Sequence, residues 1–359
     1  MPRLDVAPDF ALLTTVLRDP ARLADLQPVA FGRVMDAAHD ARLLGWFVDQ
    51  AASRGLPGNP PDWLHDRLTT AATLVVEYER ALRWEIDRLH RAFLESDLTW
   101  VLLKGGAYVA AALTPGRGRR VADIDLLVPF DDLQRTERVL AEHGWAFAEL
   151  NAYDTRYYRE WMHELPPMVH RDRHTIIDVH HAILPRTSRL KPPSPRLLER
   201  AIETAPGVRV LCPAHMILHG AAHLFHDGEI AGAIRDVVDL DQLLREFGSG
   251  HGDGPAFWSD LCAEARALGL TRPAYYALRY TSRWFKTPVP DAVIAEAARW
   301  APPSPVVGLM DALVTRAISG DSVRGSSSAA FALYVRSHWL RMPPHRVARH
   351  LLRKTFSGA

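Results

Sequence analysis

The chain of 359 residues balances 43 Lys and Arg against 42 Asp and Glu, for a formal net charge of +1, so no global field recruits nucleic acid or an anionic membrane. A hydrophobic content of 48% supplies a sizeable core, and the two cysteines, Cys212 and Cys262, form no motif and no disulfide framework. No window approaches the ~18 uninterrupted apolar residues of a spanning helix. The N-terminus also lacks the basic-then-apolar order of a secretory signal, so the expectation is a cytoplasmic protein.

In chain order, residues 1–95 read as a helical region. Phe31 to Arg54 repeats apolar residues at helical spacing (Phe31, Val34, Met35, Ala38, Leu43, Leu44, Phe47), and the Gly/Pro-dense stretch Gly55 to Pro61 breaks it. A long helix is predicted from Asp62 to Leu94, with Glu77, Glu79, Arg80, Arg83 and Arg88 on a solvated face. The character changes near Ser96. Thr99 to Leu103 suits a buried strand, Gly105 to Leu113 an Ala-rich helix, and Arg117 to Arg120 a basic turn. Asp131 to His143 reads as an amphipathic helix, Trp145 to Leu150 as a strand, and Pro167 to Arg171 with Thr175 to His181 as a hairpin. The segment from Leu184 to Pro195 reads as a linker or surface arm, and beyond it helices are expected to about Thr355, interrupted by the glycine-rich loop Gly248 to Gly254. Three divisions follow: 1–95 N-terminal helices, 96–190 a core with a small mixed α/β sheet, and 191–359 a C-terminal helical domain.

The chemistry concentrates in the middle segment. Asp123-Ile-Asp125 leads an apolar run, and side chains alternate faces along a strand, so both carboxylates point the same way, ~6–7 Å apart. Two such carboxylates can share a hard cation such as Mg²⁺. Upstream, Leu103-Lys-Gly-Gly106 turns from a strand into a helix, where backbone N–H groups can receive a phosphate. A third carboxylate, Asp178, sits inside the apolar run Ile176-Ile-Asp-Val-His180, where an unpaired charge is costly. It calls for a cation, for hydrogen-bond donors, or for pairing with Arg171 or Arg173 across the hairpin.

Leu103-Lys-Gly-Gly-Ala, Arg119 four residues before Asp123-Ile-Asp-Leu-Leu-Val, and Ile177-Asp-Val-His-His together resemble the uncharacterised nucleotidyltransferase family of the polymerase-β-like superfamily. His219-x-x-x-His223-x-x-His226 and Arg235-Asp-Val-Val-Asp239 extend the resemblance, which covers about residues 30–250. It implies an α+β fold: a nucleotidyltransferase core of short mixed β-sheet with helices, flanked by N- and C-terminal helical regions. It also implies Asp123, Asp125 and Asp178 as catalytic metal ligands for two Mg²⁺ ions, with Mn²⁺ as a substitute. Lys104, Gly105, Gly106 and Arg119 would then bind the nucleotide. The wider superfamily has serine at the position of Gly106; Lys104 and the forked donors of Arg119 are available to compensate. The implied reaction moves a nucleoside monophosphate from an NTP, ATP first among them, to an acceptor hydroxyl with release of pyrophosphate. A small-molecule or protein acceptor fits the neutral charge better than nucleic acid.

His215, His219 and His223 recur every four residues, with His226 three beyond. That stripe admits three roles: a Zn²⁺ chelate, contacts to phosphate or acceptor in the cleft (His219, His223), or packing. Strand alternation puts His180 on the Asp178 face and His181 opposite, which makes His180 the better site residue. Arg235 with Asp239 reads as a helical i,i+4 ion pair. The basic run from Val335 to Lys354 reads as a solvated helix before an RNA or membrane contact. The rival to an enzyme is a catalytically silent nucleotide-sensing or antitoxin-like partner-binding protein of the same fold; a zinc hydrolase ranks last.

Overall fold

A computed structural model describes residues 8–54, 62–148, 158, 161–227, 230–249, 254–319 and 326–342. Three helices open the chain: α1 (Pro8–Arg18), α2 (Pro28–Asp40) and α3 (Leu44–Arg54). The helical-spacing run from Phe31 to Arg54 is thus two helices. Arg42 takes a left-handed φ of 57°, and the Leu43 amide donates back to the Ala38 carbonyl at 2.7 Å, the hydrogen bond that closes a helix end. The predicted break at Gly55 to Pro61 lies outside the described residues. Helix α4 spans Asp62–Leu94 as expected, and its outer face carries the exposed pairs Arg80–Glu77 and Arg83–Glu79. Glu85 on the same helix is buried instead, clasped by Arg173 and Thr175.

The central sheet begins with β1 (Val101–Leu102), followed by α5 (Lys104–Ala110), β2 (Asp123–Leu127), α6 (Leu133–Glu142), β3 (Trp145–Phe147), β4 (Met168–His170) and β5 (Ile176–His180). Helix α5 stops earlier than its apolar run because Ala112 turns left-handed, φ 53°, and the Leu113 amide reaches back to the Tyr108 carbonyl at 2.9 Å. The predicted hairpin is β4 antiparallel to β5, and β3 pairs on the far side of β4. The end of the predicted strand at Glu149 and Leu150 lies outside the described residues.

A further short helix, α7 (Ser194–Glu199), leads into two strands that the sequence expectations placed among helices, β6 (Ile202–Ala205) and β7 (Val208–Val210). The signal was present in Pro206-Gly207 between two apolar-alternating runs. Gly207 is required there: its φ is +73°, and a Cβ would sit 2.3 Å from the His90 ring. The seven strands run in the order β3-β4-β5-β2-β1-β7-β6. At the centre β2 lies parallel to β5 and antiparallel to β1, and β7 lies parallel to β1. Sheet strands therefore come from both sides of residue 190. The arm between Leu184 and Pro195 is pinned rather than free: the Arg189 amide donates to the Leu340 carbonyl at 3.0 Å.

The C-terminal half is helical: α8 (Pro213–Ala222), a π-helical turn His223–Asp227, α9 (Ile234–Gly248), α10 (Gly254–Ala267), α11 (Thr271–Phe285), α12 (Asp291–Ala298), α13 (Ser304–Ile318) and α14 (Ser326–Arg341). One hydrophobic core joins the sheet, α5, α8 and α9 to the N-terminal helices. Among the described residues no helix is long and apolar enough to cross a membrane. Arg336 of α14 is not a solvated charge; it donates to the Phe225 carbonyl at 2.7 Å and lies over the Tyr276 ring. Arg346, Arg349, Arg353 and Lys354 lie outside the described residues.

Candidate active site

The register of β2 and β5 builds the site. Asp123 pairs with Ile176, Asp125 with Asp178 and Leu127 with His180, so a parallel ladder sets Asp123, Asp125, Asp178 and His180 on one face. Asp125 is buried and its Oδ1 accepts two hydrogen bonds, from Lys104 Nζ and His180 Nε2, each at 2.9 Å. Burial alone raises this carboxyl, but the Lys104 charge and the His180 hydrogen bond outweigh it and hold Asp125 well below the usual carboxylate range. Asp123 is half-buried, and burial together with the Asp125 charge pushes it up.

Asp178 differs in kind. Its Oδ1 is buried and accepts no hydrogen bond, and burial, with the charges of Glu164 and Asp125 beside it, pushes the carboxyl up to about 7. The cross-hairpin pairing with Arg173 is ruled out, because that guanidinium is committed to Glu85 at 2.7 Å. An orphaned carboxylate oxygen on the face that carries two further aspartates suits a hard divalent cation by donor type. Among the described residues, the group of three donors drawn within 4.8 Å of one another is His163, Glu164 and His180.

The glycine turn is packed tightly. Lys104 opens α5 with φ 43°, Gly105 and Gly106 are both buried in its first turn, and Lys104 points to Asp125. A Cβ on Gly105 would meet Arg119 Nε at 2.8 Å and Val121 Cγ2 at 2.9 Å, so this glycine makes room for Arg119. A Cβ on Gly106 would find only ordinary contacts, the closest to Leu102 at 3.5 Å. Arg119 lies over the Tyr108 ring and forms an ion pair with Asp239, which also takes Arg235 Nε at 3.0 Å. Arg235 in turn donates to the carbonyls of Arg42 and Pro115, both at 3.1 Å. The helical pair predicted from Arg235 and Asp239 is therefore one side of a buried junction joining three parts of the chain.

The histidine stripe divides. His215 bonds Glu264 and His226 bonds Ser188, both at 2.8 Å, and these two serve packing. His219 is buried and kept neutral, by burial first and then by the Lys104 charge. His223, at the start of the π turn, is held down to about 3, by the Lys104 charge first and then by burial. These two flank the site, and π turns often mark functional positions. His181 faces away, its ring edge-on to Phe130, as strand alternation predicts.

Two residues that no sequence motif singled out complete the cluster. The segment His163 to Leu165 runs antiparallel beside the end of β5: the Leu165 amide donates to the Val179 carbonyl at 2.8 Å, and Glu164 bridges His180. Glu164 Oε2 sits 3.3 Å from His180 Nδ1 and 4.0 Å from His163 Nε2. The only sequence signal was two adjacent donor residues before Pro166-Pro167 and the hairpin.

Compared with known protein families, residues 27–286 match the model of an uncharacterised nucleotidyltransferase family. The chain belongs to this family. The match runs from α2 to the end of α11, so it takes in the sheet, the carboxylate face and the π turn. Among curated proteins none matches the chain. A nucleotidyltransferase with these side chains has its three carboxylates on adjacent central strands, and its lysine and the buried His180 both on the middle carboxylate.

Proposed function

We propose that this nucleotidyltransferase moves a nucleoside monophosphate from an NTP, ATP first, to an acceptor hydroxyl of a small molecule or protein. The observation that carries the proposal is the convergence of Asp123, Asp125 and Asp178 on one face, with Asp178 Oδ1 buried and lacking a donor. These three carboxylates would hold Mg²⁺, which when bound neutralises triphosphate charge and polarises the acceptor hydroxyl. The protein's own groups divide the remaining work. Lys104 and His180 keep Asp125 ionised and oriented. Asp178 would give one carboxylate oxygen to the cation and accept the hydroxyl proton on the other as the acceptor oxygen bonds to the α-phosphorus. The bond from that phosphorus to the bridging oxygen breaks, and pyrophosphate leaves. His219 and His223, held neutral, offer hydrogen bonds without adding charge.

A second reading, a nucleotide sensor or antitoxin-like partner that does not turn over, is favoured by one feature: Gly106 offers no hydroxyl to a phosphate. Calorimetry with a non-hydrolysable NTP tests what both readings share. Binding is expected with Mg²⁺, and at least ~10-fold weaker in EDTA or in Asp123→Asn. Binding indifferent to the cation and to all three carboxylates would remove both.

A further inference from the structure

We propose that His163, Glu164 and His180 form a second cation site, distinct from the three aspartates, that takes a divalent transition-metal ion such as Zn²⁺ in preference to Mg²⁺. One donor atom from each of the three residues lies within 4.8 Å of the others. Glu164 Oε2 is 3.3 Å from His180 Nδ1 and 4.0 Å from His163 Nε2. Donors bound to one tetrahedral ion at ~2.1 Å stand roughly 3.4 Å apart, so small side-chain adjustments would close the set.

The hydrogen bonding points the same way. His180 Nε2 donates to Asp125, which fixes that ring and leaves Nδ1 facing Glu164 with no hydrogen-bond partner. Carboxylate, imidazole and metal in that order is how metal-binding histidines are commonly oriented. His163, also buried, has its Nδ1 unpartnered while its Nε2 is the nitrogen nearer Glu164, and its ring centroid is 5.1 Å from that of His180. A buried ring nitrogen left unpartnered on each of two imidazoles beside a carboxylate is costly unless something binds there. Two nitrogens and one oxygen suit Zn²⁺, Fe²⁺ or Mn²⁺, whereas Mg²⁺ prefers oxygen alone. Three protein ligands also leave a coordination position open. The site shares a wall with the carboxylate face through Asp125, so its occupancy would lock the ring that orients that aspartate.

The inference concerns ion binding and stands apart from the transfer reaction. The full chain, stripped with chelator, is titrated with Zn²⁺ in excess Mg²⁺, and Co²⁺ absorption reports the coordination. One tight equivalent of Zn²⁺ is expected. His163→Ala with Glu164→Gln should weaken it more than ~100-fold, and Asp125→Asn, which keeps the three ligands and weakens the support of the His180 ring, ~10–100-fold. Asp123→Asn should bind Zn²⁺ like wild type while losing Mg²⁺-dependent nucleotide binding, which separates the two proposals. If the double variant loses its helical circular dichroism, the volume-conserving Glu164→Gln carries the comparison. Zn²⁺ binding that Mg²⁺ displaces, or that is unchanged in the folded His163 and Glu164 variants, overturns the site.

Discussion

Asp125 accepts Lys104 and His180 on a single oxygen in a buried position, while Asp123, two residues earlier on the same strand, is half-buried. Their alanine variants should therefore separate stability from chemistry. Asp125→Ala strands Lys104 and costs about 3 kcal/mol in urea denaturation, the low end for breaking a buried pair because Lys104 keeps a quarter of its side chain exposed. Asp123→Ala should cost under ~1 kcal/mol, yet both should abolish transfer. Asp178 adds a pH signature. Its carboxyl is raised to about 7 in the folded protein against about 4 when unfolded, so between those values the native state holds the proton and the unfolded state does not. Metal-free wild type should thus lose stability as pH rises through that window, by an amount on the order of a few kcal/mol. Asp178→Asn should remove most of the loss, leaving the smaller part that Asp123, also raised, contributes in the same direction, and Mg²⁺ should restore stability at the alkaline end. Thermal melts in EDTA and in Mg²⁺ across pH check this. The two strand aspartates and Asp178 were legible in the sequence because period-two alternation and the cost of burying a charge are local rules. His163 and Glu164 were not, since their role arises only from an isolated bridge to His180 that no periodic pattern marks.

Helix α5 and the turn before it show how closely the elements are fitted. The two glycines looked alike in sequence, yet only Gly105 has its space filled by Arg119 and Val121. Gly105→Ala should cost ~1–3 kcal/mol by displacing Arg119 from its pair with Asp239. Gly106→Ser should fold within ~1 kcal/mol of wild type, because a Cβ there meets nothing closer than 3.5 Å. Chemical denaturation of the two variants distinguishes them. Type and order of the long elements were readable, α4 to its end residues. Their stops were less so: α2 and α5 end where Arg42 and Ala112 turn left-handed, a conformation propensity does not assign to arginine or alanine. The β6–β7 hairpin was missed for a related reason. Two short runs of three or four residues carry little periodicity, and the pairing of β7 with β1 depends on tertiary contact.

Across the whole molecule the carboxylate face is held from both ends of the chain. The sheet centre is completed by Leu102 pairing with Val210, and the Arg119–Asp239–Arg235 junction ties α9 to the turn between α2 and α3. The division at residue 190 expected from composition would leave β1 as an exposed sheet edge and Arg119 without its partner. A fragment of residues 96–190 should accordingly show no cooperative unfolding, whereas one covering the family match, 27–286, should. Circular dichroism melts of the two fragments decide between an autonomous core and one dependent on its helices. Transfer of label from an NTP carrying it at the α-phosphate tests the account of function most directly, with pyrophosphate release measured in parallel and small-molecule and protein extracts supplied as acceptors. Mg²⁺-dependent labelling by wild type, reduced at least ~10³-fold in Asp123→Asn and Asp178→Asn, is the predicted result. Labelling that persists in those folded variants, or NTP binding without any turnover across all acceptors and bases, would contradict it.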